Sequence, residues 1–143
     1  MRSPKGQAAN RPNRPSDLDG PTIAVVDDDP AVSDSIRALL EAHGAFVHTY
    51  QSGSAFLRAS PKVDCLVLDY HMPGLNGLDV ISELQKNGRT APTVLITAID
   101  DPSVEQRALR LGIKELVKKS SGPQALLQTI RAKLEEALCP RNI

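Results

Sequence analysis

The feature that most constrains this chain is an alternation. From Thr22 onward, short β-branched or aliphatic runs take turns with longer stretches of helical period, and repeated βα units of this kind pack helices over a parallel sheet. Five units can be counted, with strands expected at Thr22 to Val26, Ala45 to Thr49, Cys65 to Asp69, Thr93 to Thr97 and Glu115 to Val117. The first, third and fourth are continuously apolar, as suits central strands covered on both faces.

The helix signals are local. Asp29 and Pro30 supply an N-cap and a first position for a helix from Pro30 to Ala42, with Val32, Ile36, Leu39 and Leu40 on one face and Gly44 as its stop. Ser52 caps a short helix carrying Ala55, Phe56 and Leu57, and Asn76 or Gly77 opens one that buries Val80, Ile81 and Leu84. Asp101-Pro102 starts a fourth helix that ends near Gly112. The fifth begins at Ser121 to Pro123 and buries Leu126, Leu127, Ile130 and Leu134.

At 143 residues and 41% hydrophobic content the chain suffices for one core and not for a second full domain. Residues 1–20, with Pro4, Pro12, Pro15, Gly6 and Gly20 and no apolar periodicity, are expected to be a disordered leader, 21–138 the folded domain, and 139–143 a tail. Lys plus Arg and Asp plus Glu both total 17, so no bulk charge draws the chain to nucleic acid or an anionic membrane. Cys65, inside an apolar run, and Cys139, in the tail, suggest neither a disulfide framework nor a zinc site, which fits a reducing cytoplasm. The apolar stretches are too short to span a bilayer, and the N-terminus lacks a signal-peptide core.

Ligands of open parallel α/β sheets sit beyond the carboxyl ends of the strands, and polar residues accumulate there. Asp27, Asp28 and Asp29 follow the first strand, Asp69 ends the third, Thr97 ends the fourth, and Lys119 follows the fifth. Two carboxylates about 4 Å apart in a partly screened site repel by about 4 kcal/mol, so the cluster calls for a cation or a raised pKa. Mg²⁺, a hard ion that takes oxygen ligands and needs only one or two carboxylates, is the expected guest. With the metal and the Lys119 ammonium neutralising incoming phosphate oxygens, Asp69 can attack phosphorus and form an acyl phosphate. Asp29 reads as a helix N-cap rather than a ligand. Alternation along a strand sets Lys118 and Lys119 on opposite sides, and counting from Gly112 favours Lys119.

Taken together, Val25-Val26-Asp27-Asp28-Asp29, Leu66-Val67-Leu68-Asp69-Tyr70-His71-Met72-Pro73-Gly74 with Gly77, Leu95-Ile96-Thr97-Ala98, and Leu111-Gly112 leading to Lys119 resemble the receiver domain of bacterial two-component response regulators. The resemblance runs from about Thr22 to Leu138, and Gln51-Ser52-Gly53 with Ala55-Phe56-Leu57 is most similar to receivers of the FixJ type. It implies an α/β, flavodoxin-like fold: a five-stranded parallel sheet in order 2-1-3-4-5 flanked by five helices. By the same resemblance, Asp69 would accept a phosphoryl group from the phosphohistidine of a sensor histidine kinase or a phosphotransfer protein. Asp28 and Asp69 would ligate Mg²⁺ with the backbone carbonyl of His71, Asp27 would hold metal-bound water, and Thr97 and Lys119 would each engage a phosphoryl oxygen. The His71 side chain is expected at the rim of the pocket. Two positions depart from the family pattern: Leu116 replaces a usual aromatic, and Ser120 a usual proline.

The implied protein is a cytoplasmic signalling switch rather than a turnover enzyme, promoting only its own phosphotransfer and dephosphorylation. Its expected output is a changed contact with a downstream protein target or a phosphorylation-dependent homodimer. Nothing after Leu138 suffices for a helix-turn-helix, so direct nucleic-acid binding is not expected, nor is membrane binding. The rivals are a phosphohydrolase with an aspartate nucleophile, disfavoured because His71 stands where such enzymes carry a second acid, and an unphosphorylated scaffold, disfavoured because every acidic, threonine and lysine position is kept.

Overall fold

The computed structural model describes residues 20–98 and 100–138, the last two by backbone alone, so the expected leader (but for Gly20) and the tail lie outside the described residues. Strands and helices alternate as β1 (Thr22–Val26), α1 (Pro30–Ala42), β2 (Phe46–Tyr50), α2 (Gly53–Ala59), β3 (Cys65–Asp69), α3 (Gly77–Lys86), β4 (Thr93–Thr97), α4 (Pro102–Arg110), β5 (Glu115–Lys118) and α5 (Pro123–Leu138), with a 3₁₀ turn at Lys119–Ser121. The five strands are parallel in the order β2-β1-β3-β4-β5. As the apolar runs required, β1, β3 and β4 are interior and almost wholly buried.

Three strand boundaries differ from expectation by one residue, one of them the end of β2, which runs on to Tyr50 opposite Val26. Ala45 is not part of β2, because its N–H is taken by Leu40 O in the turn that ends α1. Gly44, at φ +99°, makes that turn in the left-handed region that glycine enters at no steric cost. The ladder therefore starts at Phe46, whose N–H donates to Pro21 O. β5 runs one residue further, to Lys118, which pairs with Thr97.

The helices begin where the caps foretold. Asp29 Oδ1 accepts from Ala31 N, Ser52 Oγ from Ala55 N, and Asp101 Oδ1 from Ser103 N. Asn76 and Asp79 form a reciprocal capping box at α3. The sheet divides the apolar interior in two. On one side Ile23, Val25, Val67, Ile96 and Val117 pack with α1 and α5 through Ile36, Leu40, Leu127 and Ile130. On the other, Val26, Leu66, Leu68 and Leu95 pack with α2, α3 and α4 through Phe56, Leu78, Val80 and Val104. Burial of each large side chain contributes about 1.5–3 kcal/mol. No helix among the described residues is long and apolar enough to cross a membrane.

One glycine brings the start of α3 against the end of β3. Gly77 N donates to Tyr70 O at 3.1 Å, and a Cβ at Gly77 would lie 2.8 Å from both Asp69 O and Leu95 Cδ1. Since the first of these is backbone of a buried strand, it cannot yield cheaply. Gly77→Ala is therefore expected to destabilise the fold by about 1–3 kcal/mol, measured by urea unfolding; an unchanged midpoint would show that the β3–α3 junction yields freely.

Candidate functional site

The register of the central strands sets two aspartates side by side. Val26 pairs with Leu68 across β1 and β3, so the next residue on each strand, Asp27 and Asp69, leaves the sheet next to the other. Both side chains share the parity of Val25 and Val67 and turn to the α1–α5 side, and each residue is 1% exposed. Asp27 N donates to Tyr50 O, and Asp27 Oδ1 accepts from Asp29 N at 2.9 Å. The buried Ser33 ties this loop to α1, its hydroxyl lying 3.4 Å from Asp27 O and 3.3 Å from Asp29 O. Asp69 Oδ1 accepts from His71 N at 3.3 Å.

Lys119 reaches both acids. Its Nζ lies 3.6 Å from Asp27 Oδ2 and 3.5 Å from Asp69 Oδ1, whereas Lys118 Nζ, on the opposite parity, pairs with Asp100 Oδ2 at 2.7 Å. Thr97, 3% exposed, ends β4 one strand over, and Tyr70 N donates to Ile96 O beside it. Asp28 is exposed at the mouth, His71 is exposed at the rim with its imidazole against the Tyr70 ring, and Asp29 caps α1. The expected site residues Asp27, Asp28, Asp69, Thr97, Lys119 and His71 thus gather at one end of the sheet. Sequence reasoning missed Ser33, whose only signal was a hydroxyl in the first turn of α1, and the Arg107–Tyr70 hydrogen bond, which joins residues 37 apart. Leu116 is half-buried against the α2–α4 side, and no peptide bond among the described residues is cis, so Ser120 follows Lys119 through a trans bond.

The electrostatics are only partly balanced. Burial pushes the Asp69 carboxyl up to about 6, the charge of Asp27 adds to this, and Lys119 and the His71 N–H offset part of it. Burial likewise raises Asp27, against the opposing pull of the Asp29 N–H and Lys119. One oxygen of each acid, Asp27 Oδ2 and Asp69 Oδ2, is buried without a hydrogen-bond donor. A carboxylate oxygen from each of Asp27, Asp28 and Asp69 lies within 4.8 Å of the other two. Opposing ligands of Mg²⁺ sit about 4.2 Å apart, given bonds of about 2.1 Å. An all-oxygen, net-negative set of this span fits a small hard cation.

A carboxyl raised from 3.8 to about 6 binds more protons folded than unfolded between those values. Stability therefore falls as pH climbs through that window, and above it the charged Asp69 weakens the fold by its full amount. In metal-free buffer, Asp69→Asn is expected to exceed the parent in stability by about 1–3 kcal/mol at pH 7.5 and to match it near pH 4. Chemical unfolding at the two pH values checks this, and a difference independent of pH would contradict it.

Comparison with known proteins identifies the family. A sequence model of the response regulator receiver domain matches residues 23–131. The transcriptional regulatory protein FixJ of Azorhizobium caulinodans is 34% identical over 114 residues, which cover 78% of this chain and 54% of FixJ. The response regulator MprA of Mycolicibacterium vanbaalenii is 38% identical over 114 residues, covering 78% and 49%. The chain spans about half the length of the curated relatives it matches. Among solved structures, a response regulator receiver protein from Burkholderia phymatum shares 38% identity at a TM-score of 0.70, covering 80% of this chain and 95% of that one. The BeF3-activated DrrB receiver domain shares 26% at a TM-score of 0.73, covering 81% and 98%. A match that runs from β1 into α5 makes this chain a member of the response regulator receiver domain family.

Proposed function

We propose that Asp69 accepts a phosphoryl group from the phosphohistidine of a sensor histidine kinase or a phosphotransfer protein, and that the acyl phosphate changes a protein-binding surface. The observation that carries this reading is the buried Asp27–Asp69 pair, with one undonated oxygen on each acid and Lys119 between them. A carboxylate kept from water and bordered by an ammonium is a poised nucleophile for a dianionic group. An Asp69 oxygen bonds to phosphorus as the P–N bond to the donor histidine breaks, and the bonding pair stays on the imidazole. Lys119 pairs with one phosphoryl oxygen, and the Thr97 hydroxyl donates to another.

The residues that would hold Mg²⁺ are Asp28 and Asp69 by their side chains and His71 by its carbonyl, with Asp27 holding a metal-bound water. The ion supplies charge neutralisation for the transferring oxygens. The switch then acts through the loop after Thr97, where Lys118 and Asp100 join β5 to the start of α4, and through Lys119. Residues 21–138 form the receiver unit in this reading, with 1–20 as leader and 139–143 as tail. It works in the cytoplasm beside its phosphodonor and turns over no external substrate. Its output is a downstream protein or a phosphorylation-dependent homodimer.

Incubation with acetyl phosphate and Mg²⁺ should add the mass of one phosphoryl group to the intact chain, and Asp69→Asn should abolish that gain. Undiminished labelling of the variant would move the acceptor elsewhere, and an unlabelled parent would leave a scaffold. In a Mg²⁺ titration, Asp28→Ala is expected to weaken binding at least tenfold and Asp29→Ala less than threefold, because only Asp28 offers its oxygens to the cluster while Asp29 caps α1. The reverse order would remove Asp28 from the ligand set.

A further inference from the structure

Tyr70 follows Asp69 directly and packs, half-buried, against the α2–α4 side of the core. Its hydroxyl accepts a hydrogen bond from Arg107 Nη1 at 3.1 Å, which ties the β3–α3 loop to the body of α4. Its ring meets the His71 imidazole edge to face, with centroids 4.8 Å apart and planes at 84°. His71 is therefore fixed twice: by its backbone, whose N–H donates to Asp69 Oδ1, and by its ring, which leans on Tyr70. The start of α4 lies close by as well. Hydrogen bonds from Ser103 hold the exposed Asp101 carboxyl below its usual range, and the neighbouring His71 acts in the same direction.

These contacts form a short chain from the surface of α4 to the rim of the site. An exposed hydrogen bond of ordinary strength biases a side chain between two arrangements by about two- to tenfold. That is too little to hold a fold together, yet enough to set how often a ring covers an opening. Tyr70 matters here through its hydroxyl as well as its bulk, because the hydroxyl is where Arg107 of α4 holds it.

We propose that Tyr70 and Arg107 are positioning residues that hold the His71 imidazole across the lip of the site and so slow hydrolysis of the acyl phosphate. This rests on the reading of Asp69 as the phosphoryl acceptor. In hydrolysis a water oxygen bonds to phosphorus as the P–O bond to Asp69 breaks. The bonding pair stays on the carboxylate, and the water's proton leaves with inorganic phosphate or to solvent. His71 takes no part in these bonds and limits only the approach of water. The coupling is reciprocal: a partner that engages Arg107 on α4 shortens the life of the phosphoryl group, and phosphorylation alters the affinity for that partner.

The full chain is loaded with acetyl phosphate and Mg²⁺, the donor is removed, and the half-life of the added mass is followed. Tyr70→Phe and Arg107→Gln should each shorten it three- to tenfold, the double variant no more than either alone, and Arg107→Lys should restore part of the loss. In a His71→Ala background neither substitution should change the half-life further. Equal half-lives throughout, or a shortening that persists without His71, would overturn the proposal. A parent that takes up no phosphoryl group would defeat the reading of Asp69 instead, and the positioning itself is then decided by nuclear Overhauser contacts. Contacts between the Tyr70 ring and the His71 imidazole should weaken in Arg107→Gln relative to the parent. Contacts of undiminished intensity would show that Arg107 positions nothing.

Discussion

The candidate site depends on the placement of two buried carboxylates on neighbouring strands. A carboxylate withdrawn from water is costly, and two of them side by side more so. The pairing of β1 with β3 leaves no choice, because Val26 opposite Leu68 delivers Asp27 and Asp69 to the same side of the sheet. The surrounding features read as answers to that constraint. Lys119 spans the pair, the N–H groups of Asp29 and His71 each serve one acid, and Ser33 steadies the loop between β1 and α1. They answer it incompletely, which is why both carboxyls stay above their ordinary range.

On the proposed function, the incomplete answer gives the site its chemistry. Had further donors filled Asp27 Oδ2 and Asp69 Oδ2, the acids would be ordinary structural anions with no call for a cation and little nucleophilic character. The rest of the chain supplies the rigidity such a strained site requires. Four of the five Asp69-bearing β3 residues face other strands and helices through apolar side chains, and Gly77 lets α3 close directly over the strand end. The rim, with Asp28, His71 and Lys119, is open to water.

Most of the fold was legible because the signals are local and redundant. The continuous apolar runs of β1, β3 and β4 could serve only interior strands, and Asp29-Pro30 and Asp101-Pro102 mark helix starts because each aspartate side chain accepts a first-turn N–H and each proline needs none. The start of β2 was misplaced by one residue because Ala45 is apolar and buried like a strand residue, while its N–H is spent on Leu40 O, which composition does not reveal. The choice between Lys118 and Lys119 was open to sequence in a way only partly used. Val117 faces the α1–α5 side with Val25 and Val67, so strand alternation alone sends Lys119 toward the acids and Lys118 toward Asp100. Contacts such as Arg107 with Tyr70 were illegible, since they join the polar tips of side chains on distant elements whose types carry no pairing signal.

The sheet that separates the two halves of the core also separates the energetic effects of substitutions in them. Side chains packed between the sheet and α1 or α5 share no apolar cluster with those packed under α2, α3 and α4. Substitutions with no common partner add in energy rather than compound. A lineage can therefore remodel the outer surface of one helical layer, and with it whatever that layer recognises, without readjusting the other. Asp27, Asp69, Thr97 and Lys119, the residues of the proposed site, lie at the edge that both layers share. Such a chain can diversify along two independent axes while its chemistry stands still.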